Sequence, residues 1–428
     1  MNQQMDNQLP EGWVEASLGE LNQYQASTVQ PEKFAKTTFE LYSVPAFPEK
    51  IPEILQGESI GSSKQLVLSK DVLICKINPR INRVWVVKDI KQYQQIASSE
   101  WIVFRQPALN ERYFGYYFQS LRFRNLLCAD VTGVGGSLTR AQPKKVATFE
   151  LPLPPLAEQH YLADKLDSLL ARIQTVSEQL AAVPALLKQF RQSVLADAVS
   201  GKLINIKSLT YQSLNQCAKI HNGARKPISL KERNKIQGNI PYYGATGVVD
   251  YVNGYTHKGR FLLVGEDGAN LLSKAKDLAY IVEGEIWVNN HAHVLKEYEN
   301  YSLDFIKIAI NSLNLSNWVT GTAQPKLTKK ALESLPIPKF TFAEQTEIVR
   351  RVEALFALAD QIEQQSHAAA ERVALLTRSV LAKAFRGELS AQWRCEHPDL
   401  ISGDNSAAAR LARIQAERAA TGKKSRRA

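Results

Sequence analysis

The strongest constraint on this chain is a segment that it contains twice. Residues 151–203 read LPLPPLAEQHYLADKLDSLLARIQTVSEQLAAVPALLKQFRQSVLADAVSGKL, and residues 335–389 read LPIPKFTFAEQTEIVRRVEALFALADQIEQQSHAAAERVALLTRSVLAKAFRGEL. Glu344 stands to Glu158 as Ser379 stands to Ser193, at one constant offset. The register therefore holds from AEQ to the SVLAxAxxGxL exit without an insertion, which marks a duplicated unit.

The apolar spacing says what each copy forms. In the first, Leu162, Leu166, Leu169, Ile173, Val176, Leu180, Val183, Leu187, Phe190 and Val194 alternate steps of four and three. That is a heptad seam. At the same offset the second copy carries Ile348, Val352, Leu355, Ala359, Ile362, Ser366, Ala369, Val373, Leu376 and Val380, a thinner seam. Residues 157–200 would make about 65 Å of helix, too long to stand without a partner. The other copy is the expected partner, each helix burying its stripe against the other. Pro184 removes one backbone hydrogen bond and predicts a kink in the first helix. Ala370 stands at the matching place.

A chain of 428 residues has room for two or three domains. No apolar run reaches membrane-spanning length, and Met1 to Gln8 is too polar for a signal peptide. The four cysteines, Cys75, Cys128, Cys217 and Cys395, form no CxxC pair. Such scatter fits a reducing cytoplasm rather than structural zinc or a disulfide framework. Net charge is +11. From residue 408 onward Arg410, Arg413, Arg418, Lys423, Lys424, Arg426 and Arg427 face only Glu417. The rest of the excess lies in the body, as in proteins that approach phosphates.

The long helices divide the chain into 1–150, 151–203, 204–334, 335–390 and a basic tail, 391–428. In the first domain, strands are expected on either side of a loop from Lys76 to Arg83. Asn78, Arg80 and Asn82 lie inside that loop, and Arg and Asn can bond base edges bidentately. A solvated hairpin end explains the same composition. Tyr113 to Leu127 reads as one aromatic-rich helix. The Gly-rich loop at Val131-Thr132-Gly133 follows, then Arg140, Lys144 and Lys145. The second domain repeats the order with other residues. Trp287 to Val294 reads as one strand and Leu303 to Leu313 as a helix. Its candidate contacts are Arg225, Lys226, Tyr242, Tyr243, Thr246, Asn270, Asn290, His291, Gln324, Lys326 and Lys329. The fold class is α+β, with two mixed domains, two long antiparallel helices and an internal pseudo-twofold repeat.

Catalytic signals are weak. His291 and His293 have metal-like spacing but no third ligand of suitable spacing. Glu266 and Asp267 sit in a Gly-bounded turn, where acids are common for turn reasons. Residues 57–64 (GESIGSSK) have the wrong spacing for a P-loop. Neither a triad context nor the Asn-Pro-Pro-aromatic motif of amino-methyltransferases is found.

The opening LPEGW, the two LPxP…AEQ entries, RQSVLADAVSGKL, RSVLAKAFRGEL, IPYYGATG (240–247) and LLVGEDGA (262–269) together resemble the specificity subunit of type I restriction-modification enzymes. The tail AQWRCEHPDLISGDNSAAARLARIQAERAA is similar to the type IA branch. The first recognition domain matches in layout more than in words. The resemblance implies two target-recognition domains, each reading half of a bipartite site in double-stranded DNA and separated by the helix pair. It implies two modification subunits that carry S-adenosylmethionine and methylate adenine at N6, and restriction subunits that use ATP and Mg to translocate and cleave. This chain would hold no cofactor, no metal and no catalytic residue. Two other readings stay open: a coiled-coil interaction protein without a DNA role, which would not bind duplex DNA even with partners, and a stand-alone DNA-modifying enzyme, which would act alone.

Overall fold

The computed structural model describes residues 9–89, 92–129, 139–321 and 324–425. The chain divides into two compact units, Met1–Gln179 with Ala370–Ala428, and Leu180–Ala369.

In the first unit, strand Val14–Ser17 pairs antiparallel with Glu150–Leu153, which leads into the first long helix. Between them lies a five-stranded sheet in the order Thr28–Val29, Lys64–Leu66, Gln94–Ala97, Thr38–Tyr42, Glu53–Gln56. A three-stranded sheet has Val72–Cys75 between Val84–Val86 and Trp101–Phe104. Val72–Cys75 is buried on both faces, and its alternation sorts two cores. Val72 and Ile74 join the helical core, while Leu73 and Cys75 join Tyr42, Trp85 and Trp101. Helix Glu111–Gln119 starts where the Asn110 side chain accepts from the Tyr113 amide. Its aromatic face packs on Phe104 and Phe123, with Tyr113 and Tyr117 edge-on to Phe385 of the second long helix. Such ring pairs add about 0.5–1.5 kcal/mol beyond area burial.

In the second unit, strand Tyr211–Ser213 pairs antiparallel with Pro336–Pro338. A six-stranded sheet runs in the order Ala218–Ile220, Ala292–Glu297, His257–Gly265, Ala279–Val288, Gln237–Gly244, Gly247–Val252. Along His257–Gly265 the period-two pattern again sorts cores. Leu262 and Val264 face helix Leu303–Ser312 and the long helices, and Phe261 and Leu263 face Val282 and Ile286.

The long helices are Leu156–Val199 and Phe342–Phe385. They pair antiparallel. In the first unit Leu162 and Leu166, near the start of one, share a core with Leu381, Ala384 and Phe385, at the end of the other. In the second unit Val194 and Ala198 meet Ile348 and Val352. The ends of the pair repeat one device. Gln159 takes the Asn110 amide on Oε1 (3.0 Å) and gives Nε2 to the Pro154 carbonyl (2.8 Å). Gln345, its counterpart in the second copy, takes the Ser302 amide (2.9 Å) and gives Nε2 to Phe340 (3.0 Å). Each glutamine ties a domain helix to the entry of a long helix.

Gly201 and Gly387 close the two long helices in left-handed backbone, φ 75° and 72°. A Cβ at Gly201 would lie 3.0 Å from the Ile206 carbonyl, and one at Gly387 would lie 2.3 Å from Pro10 Cγ. The N-terminal segment thus stands to the second helix as the following residues stand to the first.

Three expectations change. The Tyr113–Leu127 helix is two helices, Glu111–Gln119 and Leu121–Ala129, because Ser120 turns extended (ψ 153°) and caps the second through Phe123 N. The Trp287–Val294 strand is two strands separated by Asn289–His291, a turn sequence. The seam is not buried throughout. Leu162, Leu166, Leu187, Ile348 and Val352 are buried; Leu169, Ile173, Leu180, Leu355, Val373 and Val380 are half-buried. Val176, Ile362 and Leu376 remain 42%, 41% and 45% exposed, since beyond the domains two helices alone cover only one side of each stripe. Pro184 lies within an unbroken helix. Val131-Thr132-Gly133 lies outside the described residues.

Candidate nucleic-acid interface

In the first unit the hairpin joining Val72–Cys75 to Val84–Val86 ends in a tight 3-10 turn, Pro79–Ile81. Asn78 and Asn82 flank it with φ of 48° and 52°, a conformation asparagine tolerates better than most residues. Arg83 turns back to brace the hairpin, donating Nη1 to the Ile77 carbonyl at 3.3 Å. Arg80 stands exposed at the tip beside exposed Ile81. The segment after residue 138 runs alongside: Asn78 N donates to Thr139 O, and Ala141 N to Lys76 O, both at 2.8 Å. Lys76 and Arg140 thereby converge on Glu100, at 4.0 and 3.1 Å. Lys144 and Lys145 follow, exposed, on the short helix Pro143–Val146. Among the described residues no protein donor reaches the enclosed Asn82 Oδ1 acceptor. The fold has therefore gathered Lys76, Asn78, Arg80, Asn82 and Arg140 from two separate stretches.

In the second unit the organising residue is Glu266, whose sequence context suggests only a turn. Its carboxylate takes Arg225 Nη1 at 2.6 Å and lies 3.3 Å from Lys326 Nζ and 3.6 Å from His293 Nδ1. Burial alone would raise its pKa, but the bonds from Arg225 and Lys326 and the neighbouring charges bring it below the usual range. Arg225 also donates to the Ala292 and Asn290 carbonyls, so it clamps the turn 289–291 rather than standing free. His293 is buried. Its Nε2 donates to Leu327 O at 2.8 Å, leaving Nδ1 to accept from Asn222 Nδ2. Burial holds its pKa below the ordinary value. His291 instead is exposed and faces Asp267 at 2.8 Å, so the two histidines do not converge. Among the described residues no cluster of metal-ligating side chains is found.

Beside this cluster lies an open cleft of about 350 Å³ whose walls include Arg233, Tyr242, Asp267, Asn289, Asn290 and His291. Tyr242 is nearly fully buried, with Arg233 over its ring at 5.0 Å, so it supports the wall. Tyr243 packs on Tyr280. Thr246 is exposed at the hairpin tip, and Asn290, Gln324 and Lys326 are exposed as well. Lys226 places its backbone against Val288 and Trp287. Asn270 spends both ends of its amide on the backbone of Lys276. Lys329 lies on helix Lys329–Glu333, 3.6 Å from Glu333. Sequence reasoning missed Arg233, Asp267 and Asn289 as cleft residues; only the Gly-bounded acid pair gave a signal.

Comparison with known proteins agrees with this layout. A family model described as "Type I restriction modification DNA specificity domain" matches residues 10–185 and 210–372. The chain is 33% identical over 353 residues to the type I restriction enzyme StySPI specificity subunit of Salmonella potsdam, covering 74% of this chain and 73% of that one. It is 34% identical over 347 residues to the EcoKI specificity subunit of Escherichia coli K12, covering 73% of each. The crystal structure of the HsdS subunit from Thermoanaerobacter tengcongensis superposes with a TM-score of 0.67 at 19% identity, covering 89% of this chain and 98% of that one. The chain belongs to the DNA specificity subunits of type I restriction-modification enzymes.

Proposed function

We propose that residues 1–150 and 204–334 of this specificity subunit act as separate readers, each recognising one half of a bipartite site in double-stranded DNA. The observation that carries this is a repeated scaffold bearing unlike loops. Gln159 and Gln345 make the same bonds at matching positions of the two copies. One domain offers the Arg80 hairpin with Arg140, and the other the Glu266-centred loops with Asn290, His291 and Lys326. Exposed basic side chains set position on phosphates, and polar groups at the loop tips meet base edges.

The chain is the non-catalytic, sequence-reading part of a type I system, and its partners are DNA, modification subunits and restriction subunits. Two modification subunits would bind S-adenosylmethionine and transfer methyl to adenine N6, a reaction that requires the base to leave the stack. Restriction subunits would supply ATP- and Mg-dependent cleavage. The tail motif favours the type IA branch. Among the described residues no helix is long and apolar enough to cross a membrane, and an assembly acting on DNA would work in the cytoplasm. Co-expression with modification partners tests the reading. Methyladenine mapping should return one bipartite motif, whereas methylation by the chain alone, or no sequence preference, would refute it.

A further inference from the structure

A second feature of the Leu180–Ala369 unit lies outside the reading loops. The loop Lys274–Asp277 faces the first long helix across an open cleft of about 520 Å³. Lys188 and Arg191 enter from the helix, and Lys274 and Lys276 from the loop. Arg191 is neutralised by Asp360 and Glu363 at 2.7 and 2.9 Å. Among the described residues Lys188, Lys274 and Lys276 form no ion pair, and Asp277 is the carboxylate in the lining. Lys274 is half-buried and, among the described residues, donates Nζ only to the Asn311 carbonyl, at 3.2 Å. Burial lowers its pKa, the mark of a cation lacking a compensating charge. The loop is held in advance. Asn270 grips both backbone groups of Lys276, and Asn311 Oδ1 accepts the Leu278 and Ala279 amides.

We propose that this cleft is a phosphate seat, taking a backbone phosphate of the DNA duplex beside the half-site read by the second domain. The proposal rests on the reading given above. Continuity of the chain favours DNA over an acidic protein segment. Asp267 and Gly268 touch His291 and Pro325 on the reading side, and helix Asn270–Ser273 carries the chain directly from there to Lys274. Asn270, a candidate base contact, thereby becomes a positioning residue for Lys276. A phosphate seat adds affinity and register but no sequence information.

The test uses the full chain in complex with its modification subunits and a duplex oligonucleotide carrying the mapped site. Binding is followed by fluorescence anisotropy from about 50 to 200 mM salt. In Lys188→Gln/Lys276→Gln the slope of log K against log salt should become shallower by about two, with the methyladenine motif unchanged. Lys274→Asn keeps a residue that tolerates the φ of 47° and should remove about one, so the proposal does not depend on one variant folding. An unchanged slope would overturn the proposal. So would loss of the modification subunits from the complex, which would make the cleft a protein-docking surface. A wild-type complex without preference for its mapped site would instead overturn the functional reading beneath it.

Discussion

Lys165 donates its ammonium to the carbonyl of Leu389, 2.9 Å away and 224 residues later in the chain. Arg351, the counterpart of Lys165 in the second copy, donates to the carbonyl of Leu203, the counterpart of Leu389 in the first. Each long helix thus uses one cation to hold the segment leaving the other, and the exchange is the pseudo-twofold repeat written in two hydrogen bonds. Lys165→Met should lower stability by about 1 kcal/mol, a melting shift of about 2–4 °C for a unit of this size. Thermal unfolding of the variant measures it. No shift would mean that the bond does not survive in solution.

The paired glutamines should be costlier to remove. Gln159→Leu and Gln345→Leu each leave an amide and a carbonyl without a partner in buried surroundings. Each orphaned group costs about 1–3 kcal/mol. Glu344→Ala removes only an exposed capping contact to Thr341 and should cost about 0.5–1 kcal/mol. Urea denaturation of the three variants should preserve that order.

Glu158 is fully buried between two ends of the chain. It accepts Trp13 Nε1 at 2.9 Å and Arg394 Nη1 at 2.6 Å. Its repeat partner Glu344 instead accepts the Thr341 amide, so this pair breaks the internal symmetry. Arg394→Met would strand a buried carboxylate, at a cost of about 3–5 kcal/mol. Limited proteolysis should then cleave after Leu389 in the variant but not in the parent chain. Equal resistance would show that the tail docks without the ion pair.

Acid should weaken the second unit through His293 and Glu266. His293 is held neutral by burial, so its stabilisation is complete above its ordinary pKa of 6.5 and declines as pH falls below that value. Glu266, also held below its ordinary value, adds a loss beginning nearer pH 4.5. Melting of the unit should fall between about pH 7.5 and 5.5. His293→Gln should flatten that slope, and an unchanged slope would remove His293 as its source.

Much of this was legible in the sequence because periodic patterns repeat locally. The AEQ-to-SVLA register located both long helices, and a short apolar run, Val72–Ile74, marked the strand ahead of the Lys76–Arg83 loop. What escaped depends on contacts between distant positions. Nothing near Glu158 announces Arg394, 236 residues away. Tyr242 and Tyr243 look alike in a string, yet a period of two turns Tyr242 into the wall of the cleft and leaves Tyr243 half-buried. Arg225 and Asn270 have the chemistry to read bases, but Glu266 and the Lys276 backbone occupy their polar groups. The exposed middle of the seam was missed because a heptad shows which side pairs, not how much of it two helices can cover.

The central claim is that the two domains read independently. Exchanging residues 9–150 for those of a relative with a known target, and mapping methyladenine in a host that carries the modification partner, tests it directly. One half of the bipartite motif should change to that of the donor while the other half stays as it was. Change in both halves, or in neither, would contradict the account.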